Sequence, residues 1–308
     1  MGRLISIVIP VYNESENLIK VTRRIDELFT NHRHDYEIML IDDGSADNSA
    51  EIIKDLTHQN PKIKYILLSR NFGKDNAISA GLFKTIGDAV ITMDADLQHP
   101  PEMILEMIDQ WEEGNEVVYT YRAEKNEHSS SFNRMTSGLF YTMINNLSDL
   151  NLENGISDYR LMDRKVVDIL NRLSEDEPFF RGLVKWVGFK QKGIPYLPNP
   201  RLSGQTKYST KSLAKLAIRG ITSFSTRPLY LAAYLGFTFS LLSILYLPYI
   251  MYSLWFGHPI SGWASVIATI AFFGGLQLMI LGLIGIYLGK LFMQSKQRPH
   301  YIIKESNS

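Results

Sequence analysis

The segment AVITMDAD, residues 89–96, determines the fold class of this 308-residue chain, because it joins an apolar run directly to two closely spaced carboxylates. Residues 89–93 are apolar and rich in β-branched side chains, which is typical of a strand covered on both faces. Asp94 and Asp96 follow where such a strand would end. The segment therefore predicts a buried strand that brings two carboxylates to one edge of a sheet.

The same alternation of short β-branched runs and helical patterns extends over the first 122 residues. It predicts strands over residues 4–10, 36–42, 64–69, 89–94 and 117–121. It predicts helices over residues 15–30, 47–58, 74–86 and 101–113. This order indicates an α/β domain with a mostly parallel sheet, in which ligands bind beyond the carboxyl ends of the strands.

Polar residues cluster at four of these predicted strand ends. The clusters are Pro10-Val11-Tyr12-Asn13-Glu14, Asp42-Asp43-Gly44-Ser45, Ser69-Arg70-Asn71-Phe72-Gly73-Lys74 and Asp94-Ala95-Asp96-Leu97-Gln98. The pair Asp94 and Asp96 suits a hard cation such as Mg²⁺ or Mn²⁺, although Asp-x-Asp is also common in turns and helix caps. Asp-Gly-Ser is turn-forming chemistry too, and it still leaves an Asp side chain able to accept hydrogen bonds from a ligand.

Several protein classes are excluded or disfavoured by composition. Cysteine is absent, so disulfides and thiolate metal sites are excluded. Residues 1–226 carry four more acidic than basic side chains, which argues against nonspecific binding of nucleic acid. Neither Gly-x-Gly-x-x-Gly nor Gly-x-x-x-x-Gly-Lys-Ser/Thr occurs, which argues against a dinucleotide-dependent oxidoreductase and a P-loop ATPase.

The C-terminal part of the chain has the composition of a membrane anchor. Residues 228–289 contain no Asp, Glu, Lys or Arg, and they divide into apolar segments at 229–256 and 263–289. Each segment exceeds the roughly 20 residues that cross a bilayer, so two transmembrane helices are predicted, with a buried apolar hairpin as the alternative. Basic residues precede and follow the pair, which predicts a cytoplasmic catalytic domain, cytoplasmic termini and a tail over residues 291–308.

Two further helical patterns suggest contact with the membrane surface. Lys211, Lys215 and Arg219 form a basic stripe within residues 211–227, which predicts an amphipathic helix on anionic headgroups rather than an ordinary solvated face. Apolar residues recur at helical spacing over residues 132–147. That second pattern fits either a helix that faces the core or one that lies on the membrane.

Taken in order, the four clusters resemble the motifs of family 2 glycosyltransferases. The resemblance extends to Asp158-Tyr159-Arg160-Leu161-Met162-Asp163-Arg164, Arg201-x-x-Gly204-x-x-Lys207 and Gly274-Gly275-x-Gln277, and so covers nearly the whole chain. Within this family, the chain most resembles the dolichol-phosphate-mannose-synthase-like branch. In that branch, it is similar to bacterial polyprenyl-phosphate glycosyltransferases with two C-terminal transmembrane helices. The family's Rossmann-like GT-A fold is therefore expected over residues 1–210.

The resemblance also implies roles for individual residues. It implies nucleotide-sugar binding by Pro10, Tyr12, Glu14, Asp43, Lys74, Asp94, Arg201 and Lys207. It implies a Mg²⁺ or Mn²⁺ ion held by Asp94, Asp96 and Gln98, and a lipid phosphate held by Arg122 and Arg134. Asp158 matches the family's catalytic Asp, which would orient the acceptor or take a residual proton. The chain departs from many relatives at Ser157, where they have Gly, and at Ile286, where they have Glu.

The implied activity is inverting transfer of a hexose to undecaprenyl or another polyprenyl phosphate, for glycosylation of the cell envelope. UDP-glucose and UDP-N-acetylglucosamine are the leading donors, and the expected location is the bacterial plasma membrane, with homo-oligomers formed through the transmembrane helices. One alternative is a membrane scaffold or lipid carrier that binds a nucleotide sugar without turnover. A processive polysaccharide synthase is disfavoured, because no Gln-x-x-Arg-Trp motif occurs and only two spans are predicted.

Overall fold

The computed structural model describes residues 2–122, 156–173, 175, 178–197, 222–256 and 262–307. The strands in these ranges are β1 (Leu4–Val11), β2 (Asp35–Asp42), β3 (Ile63–Leu68), β4 (Ala89–Thr92), β5 (Val117–Arg122), β6 (Ile156–Asp163), β7 (Gln191–Tyr196) and β8 (Ile303–Ser306). The helices are α1 (Ser15–Phe29), α2 (Ser49–Gln59), α3 (Lys74–Lys84), α4 (Met103–Glu112), α5 (Arg164–Leu170), α6 (Phe180–Trp186), α7 (Arg227–Phe256) and α8 (Trp263–Ser295).

The described strands form one sheet in the order β7-β5-β6-β4-β1-β2-β3-β8. Strands β1, β2, β3 and β4 are parallel neighbours, and β5 pairs in parallel with β7. The α/β class and the five predicted strands are confirmed. The sequence did not predict β6, which runs antiparallel between β4 and β5. Its buried positions include Asp158 and Arg160, so its composition is that of a polar motif rather than of a buried strand.

Helices cover both faces of the sheet, which explains why β1, β2 and β4 are mostly apolar. One core lies under α1, α2 and α4, and a second lies under α3, α5 and α6. Helix α3 approaches the sheet closely because residue 81 is glycine. A Cβ there would lie 2.6 Å from Val8 Cγ1 and 2.7 Å from Ile41 Cδ1. This close packing fixes the position of Lys74 at the start of α3.

The C-terminal segment returns to the sheet, which differs from the simple tail predicted over residues 291–308. Helix α8 continues to Ser295, and β8 then pairs antiparallel with β3. Glu305 of β8 accepts hydrogen bonds from Lys54 Nζ at 2.7 Å and from the Tyr65 hydroxyl at 2.8 Å. The strand was not predicted because it is only four residues long and half of it is charged.

The two apolar segments are helical, and both helices are longer than the predicted spans. Among the described residues, one helix, over Ser265–Ser295, is long and apolar enough to cross a membrane. The two-helix transmembrane hairpin is therefore not confirmed and stays a prediction. The amphipathic helices predicted over residues 132–147 and 211–227 lie outside the described residues, except for residues 222–227.

Candidate active site

The carboxyl edge of the sheet brings Asp94 and Asp158 together. Asp94 follows the end of β4, and β6 runs antiparallel to β4 with Thr92 opposite Arg160. The beginning of β6 therefore lies at the same edge as the end of β4. The Thr92 hydroxyl fixes this arrangement by donating a hydrogen bond to the Asp158 carbonyl oxygen at 2.5 Å.

Four side chains form a row of alternating charges across this edge: Asp94, Lys74, Asp158 and Arg181. Lys74 Nζ lies 2.6 Å from Asp94 Oδ1 and 2.9 Å from Asp158 Oδ2. Arg181 grips Asp158 with two hydrogen bonds, from Nε to Oδ1 at 2.6 Å and from Nη2 to Oδ2 at 2.8 Å. We call these four residues the charged row.

The charged row stays ionised although Asp158 is buried and its three partners are only partly exposed. Burial alone would raise the pKa of Asp158, but Arg181 and Lys74 hold that pKa well below its usual range. Burial likewise opposes the charge on Lys74, yet the neighbouring Asp158 and Asp94 raise its pKa above the ordinary value. Burial lowers the pKa of Arg160 to about 10, which still leaves its guanidinium charged at neutral pH. Asp158 is therefore a stable anion and a weak proton acceptor.

His99 and Ser157 connect the loop after β4 to the beginning of β6, next to the charged row. The sequence predicted no role for His99. The Asp94 backbone N–H lies 3.2 Å from His99 Nδ1, and His99 Nε2 lies 2.8 Å from Ser157 Oγ. Burial lowers the pKa of His99, so we assign a neutral ring with the proton on Nε2. The ring stacks on Tyr159 with centroids 4.9 Å apart. The departure at Ser157 thus supplies a hydroxyl that links β6 to the loop after β4.

Asp43 holds the loop that leads into α3. Its carboxylate accepts hydrogen bonds from the backbone N–H of Phe72 at 2.7 Å and of Gly73 at 2.9 Å. Gly44 adopts a φ of 68°, and a Cβ there would lie 2.5 Å from the Arg70 carbonyl carbon. Only glycine fits this position, so the Asp-Gly motif sets the approach of the loop that carries Lys74.

The other predicted site residues are distributed around this edge. Pro10 is the penultimate residue of β1, Tyr12 is 42% exposed, and Glu14 Oε2 accepts a hydrogen bond from Asn17 at 2.7 Å. The Gln98 backbone N–H donates to Asp96 Oδ1 at 3.1 Å, and Arg122 ends β5. Arg134, Arg201 and Lys207 lie outside the described residues.

Asp94 and Asp96 offer carboxylate oxygens, the donor type that a hard divalent cation prefers. Within the described ranges, no group of three or more His, Cys, Asp or Glu side chains is arranged to hold a metal ion. Two carboxylates completed by phosphate oxygens are nevertheless a common protein contribution to a magnesium or manganese site. The pair therefore fits a cation that is shared with a bound diphosphate.

Comparison with known proteins assigns the fold and motifs to a family. The family described as "Glycosyl transferase family 2" matches residues 6–170, which include Asp43, Lys74, Asp94 and Asp158. The chain belongs to this family. The match ends before Arg181, so this family 2 glycosyltransferase completes its charged row with a residue from beyond the matched region.

Relatives similar over nearly the full length carry glycosyltransferase names. The "Uncharacterized glycosyltransferase YkcC" of Bacillus subtilis is 43% identical over 98% of this chain and 93% of its own length. The "Bactoprenol glucosyl transferase" of Shigella phage SfX is 38% identical over 97% of this chain and 98% of its own length. The protein is thus a glycosyltransferase.

A solved structure supports the fold of the catalytic domain. Glucosyl-3-phosphoglycerate synthase from Mycobacterium tuberculosis, in complex with Mn²⁺, UDP and phosphoglyceric acid, superposes with a TM-score of 0.52. The alignment covers 72% of this chain and 77% of that chain at 18% identity, so it shows the fold alone. The family 2 glycosyltransferase therefore has a GT-A-like domain, as predicted.

Proposed function

We propose that the protein transfers a hexose from a UDP-sugar to a polyprenyl phosphate, with inversion, at the membrane surface. One observation carries the proposal: the charged row lies in a chain similar over almost its whole length to a bactoprenol glucosyl transferase. The helix over Ser265–Ser295 supports a membrane location, because it is long and apolar enough to cross a bilayer. It ends only eight residues before β8, which belongs to the sheet of the catalytic domain. The catalytic domain is thereby kept near the lipid acceptor.

Formal charges at the site favour a metal-bound donor. Three carboxylates, from Asp94, Asp96 and Asp158, are matched by the three cations Lys74, Arg160 and Arg181, so their sum is zero. A nucleotide diphosphate adds negative charge that these six groups leave uncompensated. A Mg²⁺ or Mn²⁺ ion held by Asp94 and Asp96, with Gln98 close by, would neutralise the departing diphosphate when bound.

The remaining residues act by holding charges in place. Lys74 lies between Asp94 and Asp158, where it can hold the donor diphosphate close to the acceptor. A phosphate acceptor is already largely ionised at neutral pH, since its second pKa is about 6. A strong general base is therefore unnecessary, and the depressed pKa of Asp158 suits orientation of the two neighbouring cations rather than proton transfer. Pro10, Tyr12, Glu14 and Asp43 remain our candidates around the nucleoside.

A donor screen tests the function directly. The purified full-length protein, in nanodiscs that contain undecaprenyl phosphate, is incubated with UDP-glucose, UDP-N-acetylglucosamine and other nucleotide sugars. We expect release of UDP and a lipid product whose mass equals that of undecaprenyl phosphate plus one hexosyl or N-acetylhexosaminyl residue. Tight UDP binding without turnover of any donor would favour a non-catalytic scaffold and contradict the proposal.

The metal assignment predicts that Asp96→Asn removes most metal-dependent turnover, because one anionic oxygen ligand is lost. Binding of Mn²⁺ together with UDP, followed by electron paramagnetic resonance, should weaken in parallel. Asp109→Asn is the matched control, because that carboxylate is exposed on α4 and away from the sheet edge. Near-normal turnover of Asp96→Asn in saturating Mg²⁺ or Mn²⁺ would disprove the metal site.

A further inference from the structure

Arg181 ends the charged row on the side away from Asp94. It reaches Asp158 from α6, a helix that lies outside the region matched by the family. Its side chain keeps 30% of its surface exposed, as the Asp94 side chain does at the other end, whereas Asp158 between them keeps 8%. The guanidinium is therefore open to solvent on one side, where a phosphate group can contact it.

The helix that carries Arg181 packs against Phe224, which belongs to the segment of residues 222–225 before the first apolar helix. Phe224 meets Phe179 with ring centroids 6.2 Å apart. Gly182, the neighbour of Arg181, leaves no room for a side chain, because a Cβ would lie 2.6 Å from Phe224 Cε2. The position of α6 is therefore sensitive to the position of the Phe224 ring.

Residues 222–225 are in turn bound to the last turns of α8. The Tyr287 hydroxyl donates to the Ser225 carbonyl oxygen at 2.6 Å, and Lys290 Nζ donates to Ser223 Oγ at 3.1 Å. A continuous set of contacts thus leads from α8 through Phe224 and α6 to Arg181. The cleft and the apolar helices are linked at Arg181, which is at the end of the charged row opposite Asp94.

We propose that residues 222–225 position Arg181 to receive the acceptor phosphate, so that the base of the apolar helices is part of the acceptor site. This inference rests on the proposed function. It assigns the two substrates to opposite ends of the charged row, with the donor diphosphate at Asp94 and the acceptor phosphate at Arg181. Arg181 binds the phosphate, and Phe224 acts as a positioning residue through α6.

The test uses the full-length protein in nanodiscs with two probes, UDP with Mn²⁺ for the donor end and undecaprenyl phosphate for the acceptor end. Phe224→Ala removes the ring against Gly182, and Tyr287→Phe removes only the hydrogen bond to Ser225. We expect the apparent KM for undecaprenyl phosphate to rise, by about ten- to hundredfold in Phe224→Ala and less in Tyr287→Phe. The Kd of UDP should stay within about twofold. Arg181→Lys, which keeps the charge and loses the two-pronged geometry, should raise the same KM.

Phe83→Ala is the matched control, since it also removes a phenyl ring from the domain but from an exposed position at the end of α3. Its KM for undecaprenyl phosphate should equal that of the wild type. An equal rise in Phe83→Ala, or a Phe224→Ala variant with weakened UDP binding and an unchanged acceptor KM, would overturn the inference. If the wild type forms no lipid product, the proposed function fails instead, which separates the two claims.

Discussion

At the scale of single residues, Asp158 shows how a buried carboxylate can serve as a structural anion. Its side chain is 8% exposed and accepts three hydrogen bonds from Arg181 and Lys74. Such pairing offsets the cost of burying the charge, whereas removing one partner leaves the others uncompensated. We therefore expect Asp158 to contribute both to the stability of the domain and to the alignment of the two cations.

Asp158→Asn should lower the free energy of unfolding by about 1–3 kcal/mol at pH 7, because the two cations lose a charged acceptor. The folded-state pKa of Asp158 is depressed, so its stabilisation is present above the unfolded pKa of about 3.9 and is lost as pH falls below it. The stability difference between wild type and Asp158→Asn should therefore shrink below about pH 4. Thermal unfolding over a pH series measures it.

Asp168→Asn is the control for that series. The Asp168 carboxylate is 53% exposed and forms a loose ion pair with Arg164, with Oδ1 3.8 Å from Nη1. Exposed pairs of this kind contribute little, so its unfolding temperature should follow the wild type at every pH. A constant difference between wild type and Asp158→Asn down to pH 3 would show that folding does not depress the pKa of this carboxyl group.

At the scale of elements, strands and helices with a clear hydrophobic pattern were predictable from the sequence. Strands that depend on buried charged residues or on a partner far away in the chain were not. Strands β1 to β5 and helices α1 to α4 follow from apolar runs and helical spacing. Strand β6 was not predicted because it contains Asp158 and Arg160, two charged residues that are buried next to ionic partners. A sequence pattern does not show that such residues will be buried. Strand β8 was not predicted because it is short and half charged, and because the partner that stabilises it, β3, lies more than 230 residues earlier in the chain.

The residues of the candidate site also divide into those that the sequence predicted and those that it did not. Lys74, Asp94 and Asp158 were found because they belong to motifs at strand ends. Arg181 and His99 carry no such signal, since their roles depend on contacts with residues 23 and 58 positions away in the chain. One sequence read along its length does not reveal which of many arginines and histidines will meet those partners.

Deletion of residues 302–308 should destabilise the catalytic domain. It removes the strand pairing to β3 and the hydrogen bond from the Ser69 N–H to the Ile302 carbonyl oxygen at 2.9 Å. It also leaves the backbone of β3 as an unpaired sheet edge, which promotes association between chains. We expect a lower unfolding temperature, by about 2–4 °C for each kcal/mol lost, together with aggregation detected by light scattering.

Glu305→Gln is the matched variant for this element, because it removes only the charge that faces Lys54 and keeps the strand. Since both side chains are well exposed, we expect little change in unfolding temperature. If Glu305→Gln were as harmful as the deletion, the ion pair rather than the strand pairing would hold the C-terminal segment.

At the scale of the whole molecule, the proposed membrane topology places the loop at residues 257–262 outside the cell and the catalytic domain inside. A cysteine introduced by Ser261→Cys, in a chain without native cysteine, should react with an impermeant thiol reagent in intact cells. The control Lys296→Cys, at the exposed end of α8, should react only after lysis. The reverse pattern would refute the orientation.

The two attachments of α8 have a consequence for how the enzyme would find its acceptor. Residues 222–225 hold the last turns of the helix, and β8 fastens the chain that follows it to the sheet. In the proposed membrane topology, these attachments would keep the cleft at a fixed height above the bilayer. Acceptors then arrive by lateral diffusion in two dimensions. Turnover should follow the mole fraction of polyprenyl phosphate in the lipid. Adding inert lipid to the same bilayers would slow the enzyme, whereas adding buffer that contains the same concentrations of nucleotide sugar and metal would leave the turnover per enzyme unchanged.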